Sequence, residues 1–135
     1  MTGEAPALAY QDLLLSVYEA FNERDLDYIL LVMHPDVDWP NGMEGGRVRG
    51  HDGLRDYWTR QWDLTDPFVK PQRFEYLGGG SVAVHVHQLV RDLGGNIIVN
   101  QMVQHVYLFR GPHIVSMEIR NAPDQLPSPA PPSQN

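Results

Sequence analysis

Two adjacent glycines, Gly94 and Gly95, constrain the fold of this chain more than any other feature of its sequence. They separate two runs rich in β-branched residues, Val82 to Asp92 and Ile97 to Arg110. A Gly-Gly centre between two such runs is typical of a tight β-hairpin. A two-residue turn at this point places Val84 opposite His105, and this pairing fixes the register of the hairpin.

Side chains alternate between the two faces of a strand, so this register divides the hairpin into two sets of residues. One face is mostly valine with a few polar groups, and consists of Val84, Val86, Gln88, Val90, Val99, Gln101, Val103, His105 and Tyr107. The other mixes basic, amide and apolar side chains, and consists of His85, His87, Leu89, Arg91, Asn100, Met102 and Gln104. A slip of one residue would exchange the two sets.

The rest of the chain predicts helices before strands. Helical spacing and capping residues predict three N-terminal helices over residues 8–23, 25–33 and 52–62, with Asp25 and Asp52 as caps of the second and third. Shorter apolar runs predict strands over residues 37–39, 74–77 and 114–120. This order indicates an α+β domain in which helices pack on a curved antiparallel sheet.

A chain of 135 residues is long enough for one domain with its own core and too short for two. We expect the domain to cover residues 8–121, after a flexible N-terminal segment of residues 1–7. From Ala122 onward the sequence is dense in proline, and Leu126 is its single large apolar residue. Such a segment buries too little surface to offset the entropy of ordering, so residues 122–135 are predicted to form a disordered tail.

The formal net charge is −7, and only 10 lysines and arginines are spread along the chain. Nucleic-acid binding needs a basic face that neutralises phosphates, so this charge disfavours a nucleic-acid partner. The longest apolar stretch, Leu26 to Met33, is far too short to span a membrane. The N-terminus also lacks the basic and apolar segments of a signal peptide. We therefore expect a cytoplasmic protein with no membrane partner.

No metal or cofactor is expected. The chain has no cysteine, which excludes disulfides and thiolate ligands. His85 and His87 share a strand face at a spacing that suits zinc, but their cross-strand neighbours are amides rather than a third ligand. The glycine run Gly78 to Gly80 leads into a strand and not into a helix, so it does not predict a phosphate-binding loop.

The valine-rich face predicts a pocket for a hydrophobic small molecule, since an apolar wall with a few polar groups is the usual form of such a site. The residues expected to contact the ligand are Tyr18, Trp39, Tyr57, Trp58, Trp62, Gln88, Gln101 and Met117. His105 is the candidate catalytic acid or base because an imidazole titrates near neutral pH. Asp38 is the reserve base if its strand is shifted by one residue. The alternative is a filled core in which the polar groups have internal partners.

The opposite face of the hairpin is too polar for a core and too apolar for a freely solvated surface. We expect this face to form a self-complementary homodimer interface. The residues expected in the interface are His85, His87, Leu89, Arg91, Met102 and Gln104.

Four segments of the sequence resemble the nuclear-transport-factor-2-like superfamily in its SnoaL-like branch. They are Phe21 to Asp27, His34 to Trp39, Gly50 to Trp58 and His113 to Arg120. The likeness extends over residues 8–120 and implies a cone-shaped domain, with a pocket between the helices and the concave face of the sheet and a dimer through its outer face. Relatives include ketosteroid isomerases, polyketide cyclases, limonene epoxide hydrolases, dehydratases and non-catalytic binding modules.

The resemblance also supplies positions for catalysis. The isomerases have an aspartate base after the second helix, and Trp39 takes that place here, with Asp38 beside it. Their oxyanion-hole tyrosine aligns with Val17, next to Tyr18. Their second donor, an aspartate kept protonated by an apolar site, aligns with His105. None of the three positions keeps the residue of the isomerases, so isomerisation by their route is not expected.

Three functions are open at this point, and the sequence leaves open whether the protein is an enzyme. The first is proton-transfer catalysis on a hydrophobic substrate, such as isomerisation, cyclisation or dehydration, with His105 as acid or base. The second is non-catalytic binding of an apolar ligand. The third is a protein-interaction module that uses the outer face of the sheet. Turnover that depends on His105 would favour the first, and a cavity filled by the protein's own side chains would favour the third.

Overall fold

The computed structural model of the chain describes residues 4–42 and 44–121. Its elements are α1 (Glu4–Asn22), α2 (Leu26–Leu31), β1 (Met33–Pro40), β2 (Arg47–Arg49), α3 (Gly50–Leu64), β3 (Thr65–Gly78), β4 (Ser81–Asp92), β5 (Ile97–Arg110) and β6 (His113–Asn121). Residues 1–3 of the segment predicted to be flexible, and all of the predicted tail, lie outside the described residues.

The six strands form one curved, open sheet in the order β2-β1-β6-β5-β4-β3, with helices on it, which confirms the α+β class. The prediction of a purely antiparallel sheet is wrong, because β1 and β6 pair in parallel. Only strands joined by a hairpin must run antiparallel, and β1 and β6 are far apart along the chain. Three helices are present as predicted, and α3 follows β1, as the predicted strand over residues 37–39 before the helix over residues 52–62 indicated.

The second helix is shorter than predicted. Asp25 caps it as expected, since its carboxylate accepts a hydrogen bond from the Tyr28 backbone N–H at 3.2 Å. The helix ends at Leu31, however, and Met33 already belongs to β1. The Val32 carbonyl accepts a hydrogen bond from the Ile114 N–H of β6 at 3.0 Å, so the chain already joins the sheet at this residue, and Pro35 keeps His34 extended. The pairing of β1 with β6 is irregular over the same stretch.

The start of α3 also differs from the prediction. The helix begins at Gly50, after Arg49 as the N-cap residue, and no side chain caps it. Asp52 lies in the first turn instead, where its negative charge favours the helix dipole. The glycine-rich segment before the helix contains β2, a three-residue strand that the sequence did not indicate.

The third strand is fourteen residues long, whereas only residues 74–77 were predicted as strand. The first half of β3 was not predicted because it contains Pro67 and Pro71, and proline is rare inside sheets. Here β3 is the last strand of the sheet, so proline can face away from the ladder without the loss of a hydrogen bond.

The predicted register of the hairpin is confirmed: Val84 pairs with His105 and Gln88 with Gln101. The predicted two-residue turn is wrong, because the Asp92 N–H donates to the Asn96 carbonyl at 2.8 Å and closes a loop of three residues. Such loops place a glycine in the left-handed region, as Gly95 is here with a φ of 94°. Ile98 has no partner on β4. This one extra residue on β5 compensates for the extra residue in the turn, so the strands beyond it pair in the predicted register.

The core lies between the helices and the valine-rich face of the hairpin, which is the inner face of the sheet. Val84 and Val86 on β4 are completely buried there, as are Leu14 on α1, Ile29 on α2 and Leu54 on α3. No helix among the described residues is long and apolar enough to cross a membrane.

Candidate functional site

A cavity of about 130 Å³ lies between the helices and the inner face of the sheet. Seven of the predicted site residues line it, namely Tyr18, Trp39, Tyr57, Trp58, Gln88, His105 and Met117. It extends from the buried Tyr107 to Ile119, whose side chain is 46% exposed, so it connects the core with the surface. The protein's own side chains therefore do not fill the space under the helices.

The floor of the cavity carries three side chains in one hydrogen-bonded chain. The Tyr107 hydroxyl donates to the Tyr18 hydroxyl at 2.8 Å, and the Tyr18 hydroxyl lies 2.9 Å from Nδ1 of His105. All three side chains are buried. Tyr107 was placed on the inner face by the sequence but not named as a site residue, because the fold of α1 over the sheet is needed to bring it to Tyr18.

Tyr18 accepts a hydrogen bond from Tyr107 and has its own hydroxyl hydrogen to donate to Nδ1 of His105. A neutral imidazole whose Nδ1 accepts carries its hydrogen on Nε2. In that tautomer Nε2–H is the remaining polar group of His105, and no partner for Nε2 occurs among the described residues.

Burial determines the charge of the three groups. It lowers the pKa of His105 from 6.5 to about 4, so the ring is neutral at pH 7. Burial also raises the pKa of Tyr18 well above its usual value, and raises that of Tyr107. The sequence-based expectation that His105 titrates near neutral pH is therefore wrong, because it assumed an exposed imidazole and this one is buried. In the tautomer that accepts from Tyr18, its Nε2–H is a hydrogen-bond donor at this pH.

Asp38, the reserve base, does not line the cavity. Alternation along β1 directs its side chain away from that of Trp39, which does line it. The Asp38 carboxylate instead accepts a hydrogen bond from Nε of Arg47 at 3.0 Å and forms an ion pair there. None of the described lining residues is a carboxylate or carries any other formal charge.

The two glutamines of the inner face pair with each other. Nε2 of Gln101 donates to Oε1 of Gln88 at 3.1 Å, and only Gln88 lines the cavity. Gln101 is exposed beyond the mouth. Since the Gln88 oxygen is engaged, its NH₂ group is the part that can donate to a ligand.

Tyr57 supplies a third donor. Its hydroxyl oxygen accepts a hydrogen bond from the Gly42 N–H at 3.0 Å, and both residues line the cavity. The hydroxyl hydrogen of Tyr57 therefore remains to donate. Gly42 was not predicted as a site residue, because nothing in a glycine-rich segment distinguishes the residue that meets a tyrosine.

Aromatic rings from β1, α1 and α3 form one wall of the cavity. Trp39 and Trp58 meet edge to face with their centroids 5.4 Å apart, and Phe21 lies 6.1 Å from Trp58. Trp62 is not a lining residue. It stacks on Trp58 from behind at 6.3 Å, with the guanidinium of Arg24 5.3 Å from its ring, so it supports the wall rather than touching the cavity.

On the outer face, polar side chains of the hairpin have partners within the sheet. Nε2 of His85 accepts from Nη2 of Arg73 at 3.0 Å, and Nε2 of His87 lies 2.6 Å from Oδ1 of Asn100. His85 is already buried by its own chain, although it was predicted as an interface residue. The other predicted interface residues are half-buried, namely His87, Leu89, Arg91, Met102 and Gln104. Across residues 4–42 and 44–121, no three His, Asp or Glu side chains are grouped to hold a metal ion.

Comparison with known proteins gives a consistent assignment. A protein-family profile described as a SnoaL-like domain matches residues 14–117. The crystal structure of TerC co-crystallized with polyporic acid is 27% identical in sequence, with a TM-score of 0.73 over 87% of this chain and 92% of that one. An NTF2-like protein of unknown function from Burkholderia pseudomallei is 26% identical, with a TM-score of 0.74 over 84% and 91%.

A third structure, RV0760c from Mycobacterium tuberculosis in complex with estradiol-17beta-hemisuccinate, is 16% identical and shares the fold, with a TM-score of 0.72 over 88% of this chain and 95% of that one. No curated protein sequence matches the chain significantly.

Proposed function

The chain belongs to the SnoaL-like domain family, and on that premise we propose that it binds an uncharged, ring-containing small molecule that presents an acceptor oxygen to His105. The observation that carries this proposal is the hydrogen-bonded chain from Tyr107 through Tyr18 to His105, in which a Tyr18 hydroxyl that donates to Nδ1 leaves Nε2–H as a donor at the floor of an aromatic cavity. TerC, which shares the fold, was crystallised with polyporic acid, and this supports a small-molecule ligand here.

Three side chains that line the cavity can donate a hydrogen bond to a ligand, through Nε2–H of His105, the NH₂ of Gln88 and the hydroxyl hydrogen of Tyr57. Gln61 also lines the cavity, and its amide adds both an oxygen acceptor and an NH₂ donor. A buried donor without an acceptor costs free energy, so a ligand with carbonyl, ether or hydroxyl oxygens at these places gains from each of them. This distribution favours an oxygen-bearing ligand over a hydrocarbon.

The charge of the cavity favours a neutral ligand. None of its described lining residues is charged, and the chain as a whole carries −7. An ionised ligand would lose its hydration without gaining a counter-ion. The volume of about 130 Å³ suits one ring, since an engineered cavity of about 150 Å³ holds benzene. Larger ligands would extend past Ile119 into solvent.

Proton-transfer catalysis, such as isomerisation or cyclisation, is the second candidate, and the same Tyr107–Tyr18–His105 chain favours it as a path for protons. Two features oppose it. Donation from Nε2 of His105, with replacement of the proton from Tyr18, would leave a tyrosinate in a site that raises the tyrosine pKa. The described lining residues also offer no carboxylate to take a proton from carbon. Ligand binding therefore has the stronger support.

The donor role of His105 can be tested with two probes of the same shape, acetophenone and α-methylstyrene, which differ by an oxygen in place of a CH₂ group. We expect the protein to bind acetophenone about fivefold more tightly, as one hydrogen bond of about 1 kcal/mol predicts. Quenching of Trp39 and Trp58 fluorescence would report binding, because both indoles line the cavity.

The His105→Phe variant should lose this preference while it still binds both probes. The matched control is His87→Phe on the outer face, which should keep the preference. Equal affinity for the two probes in the native protein, or a preference that survives His105→Phe, would refute the donor role. Exchange of the acetophenone methyl hydrogens in D₂O separates the two candidates: accelerated exchange that depends on His105 would establish proton transfer.

The outer face supports a proposed homodimer. Its half-buried Leu89 and Met102 sit among polar groups, and Met102 borders a shallow depression of about 450 Å³ together with His87 and Asn100. We expect light scattering to give the mass of a dimer for the native chain and of a monomer for Met102→Asp. Leu31→Asp, on a residue that is 71% exposed at the end of α2, should leave the mass unchanged. A native monomer at micromolar concentration would contradict the proposal.

A further inference from the structure

The polar groups of the cavity are spread along the strands of the sheet. His105 and Gln88 both line the cavity, and the register places Val84 opposite His105, four residues from Gln88 along β4. Four residues of extended strand span about 13 Å, so the two side chains face different parts of the cavity. A single ring bound at His105 therefore does not fill the Gln88 end, where Gln88 bonds to the exposed Gln101.

Gln61 lies at the same end of the cavity as Gln88. It belongs to the last turn of α3, and this helix passes directly into β3 at Thr65. Thr65 pairs with Asp92, which is the last residue of β4 before the hairpin turn. The connection therefore brings the end of α3 over the hairpin end of the sheet, which is the mouth of the cavity and not its floor.

The local structure of α3 positions the Gln61 side chain. The backbone N–H and the hydroxyl of Thr65 both donate to the Gln61 carbonyl, the hydroxyl at 2.9 Å. Tyr57 and Trp58 lie about one turn earlier on the same face of the helix, and all three side chains line the cavity. The Gln61 side chain is half-buried, and its amide has no hydrogen-bond partner among the described residues.

The two ends of the cavity differ in the ligand groups that they can bind. In the tautomer that accepts from Tyr18, His105 offers a donor and no acceptor. The Gln61 amide offers both an oxygen acceptor and an NH₂ donor, so it is best matched by a group that also donates and accepts. A ligand hydroxyl is such a group, whereas a ketone oxygen satisfies only the donor of the amide.

Resting on the proposed function, we propose that Gln61 determines specificity by binding a hydroxyl group at the far end of an elongated aromatic ligand whose acceptor oxygen lies at His105. The wall between the two ends is aromatic. Trp39 lies 6.0 Å from Tyr107 at the floor and 5.4 Å from Trp58, which is about one turn from Gln61. Flat rings can pack along this wall, so the ligand class is that of hydroxylated aryl ketones with more than one ring.

Two pairs of probes test the length and the polarity of the ligand. The long pair is 4-acetylbiphenyl and 4-acetyl-4′-hydroxybiphenyl, and the short pair is acetophenone and 4′-hydroxyacetophenone. By calorimetric titration we expect the hydroxyl to tighten binding of the long probe about fivefold, as one hydrogen bond predicts. In the short pair it should change the affinity by less than about twofold, because one ring at His105 does not reach Gln61.

The Gln61→Leu variant should bind the two long probes with equal affinity, and leucine keeps the helical propensity of this position. The matched control is Gln11→Leu, which changes a half-buried glutamine of α1 that does not line the cavity, and it should keep the preference.

Equal affinity of the native protein for the two long probes would overturn the inference. A preference that survives Gln61→Leu, or one of the same size in the short pair, would also overturn it. In these cases a preference for acetophenone over α-methylstyrene would still support the donor role of His105. If the native protein lacks that preference as well, the proposed function and this inference both fail.

Discussion

The two faces of the β4–β5 hairpin use their histidines differently. On the outer face, His85 and His87 bond to side chains on neighbouring strands. On the inner face, His105 bonds through Nδ1 to a helix tyrosine and leaves its second nitrogen without a partner among the described residues. A histidine on a strand is therefore a candidate site residue when one ring nitrogen is held by a hydrogen bond and its ring also lines a cavity.

The same substitution on the inner and on the outer face should give the largest difference in the free energy of unfolding. Val86→Asp places a carboxylate in the core, where Val86 is fully buried, and should lower the free energy of unfolding by more than about 3 kcal/mol. His87→Asp, one residue away on the outer face, should lower it by less than about 1 kcal/mol. Urea denaturation measures both, and similar losses would mean that the two faces are not distinct.

Acid should reveal the buried imidazole. The pKa of His105 is about 4 in the folded protein, below the 6.5 of an unfolded imidazole. The neutral ring therefore stabilises the fold above pH 6.5, and this contribution of up to about 3 kcal/mol is lost as the pH falls to 4. The difference in the free energy of unfolding between the native protein and His105→Gln should shrink over that range. The acidic residues are the same in both proteins, so their titration does not contribute to this difference. A pH-independent difference would show that His105 titrates normally.

The hydrogen bond between the tyrosines should have a smaller effect. Tyr107→Phe removes the donor to Tyr18 and should lower the free energy of unfolding by about 1 kcal/mol. It also frees Tyr18 from its role as acceptor, so the ¹⁵N shifts of His105 should show a larger share of the Nδ1–H tautomer. Tyr28→Phe, a half-buried tyrosine outside the cavity, is the control. Unchanged ¹⁵N shifts would mean that Tyr107 does not position the ring.

The sequence predicted the register of the hairpin correctly for a reason that was only half right. A two-residue turn gives the same pairing as a three-residue turn followed by an extra residue at Ile98, and periodicity cannot separate the two. Elements interrupted by proline were missed or shortened, as β3 shows, because proline acts differently on an edge strand than inside a sheet.

For the site, the sequence identified residues by face but not by contact. His105, Tyr18 and Gln88 were expected to meet a ligand, and all three line the cavity. Asp38 was assigned without knowledge of its ion pair with Arg47, and Trp62 without knowledge that it stacks behind Trp58. These errors have one physical origin, since contacts between distant segments depend on how the helices cross the sheet.

The extra residue at Ile98 isolates the tip of the hairpin from the floor of the cavity. A change in the length of a hairpin turn normally shifts the register of the two strands, and a shift of one residue moves each side chain to the opposite face. Here the unpaired Ile98 compensates for the three-residue turn. Beyond it, the strands pair in the register that includes Val84 and His105. The loop Leu93–Gly95 is thus a natural place to graft a foreign peptide or a fluorophore, since lengthening it should leave the imidazole where it is.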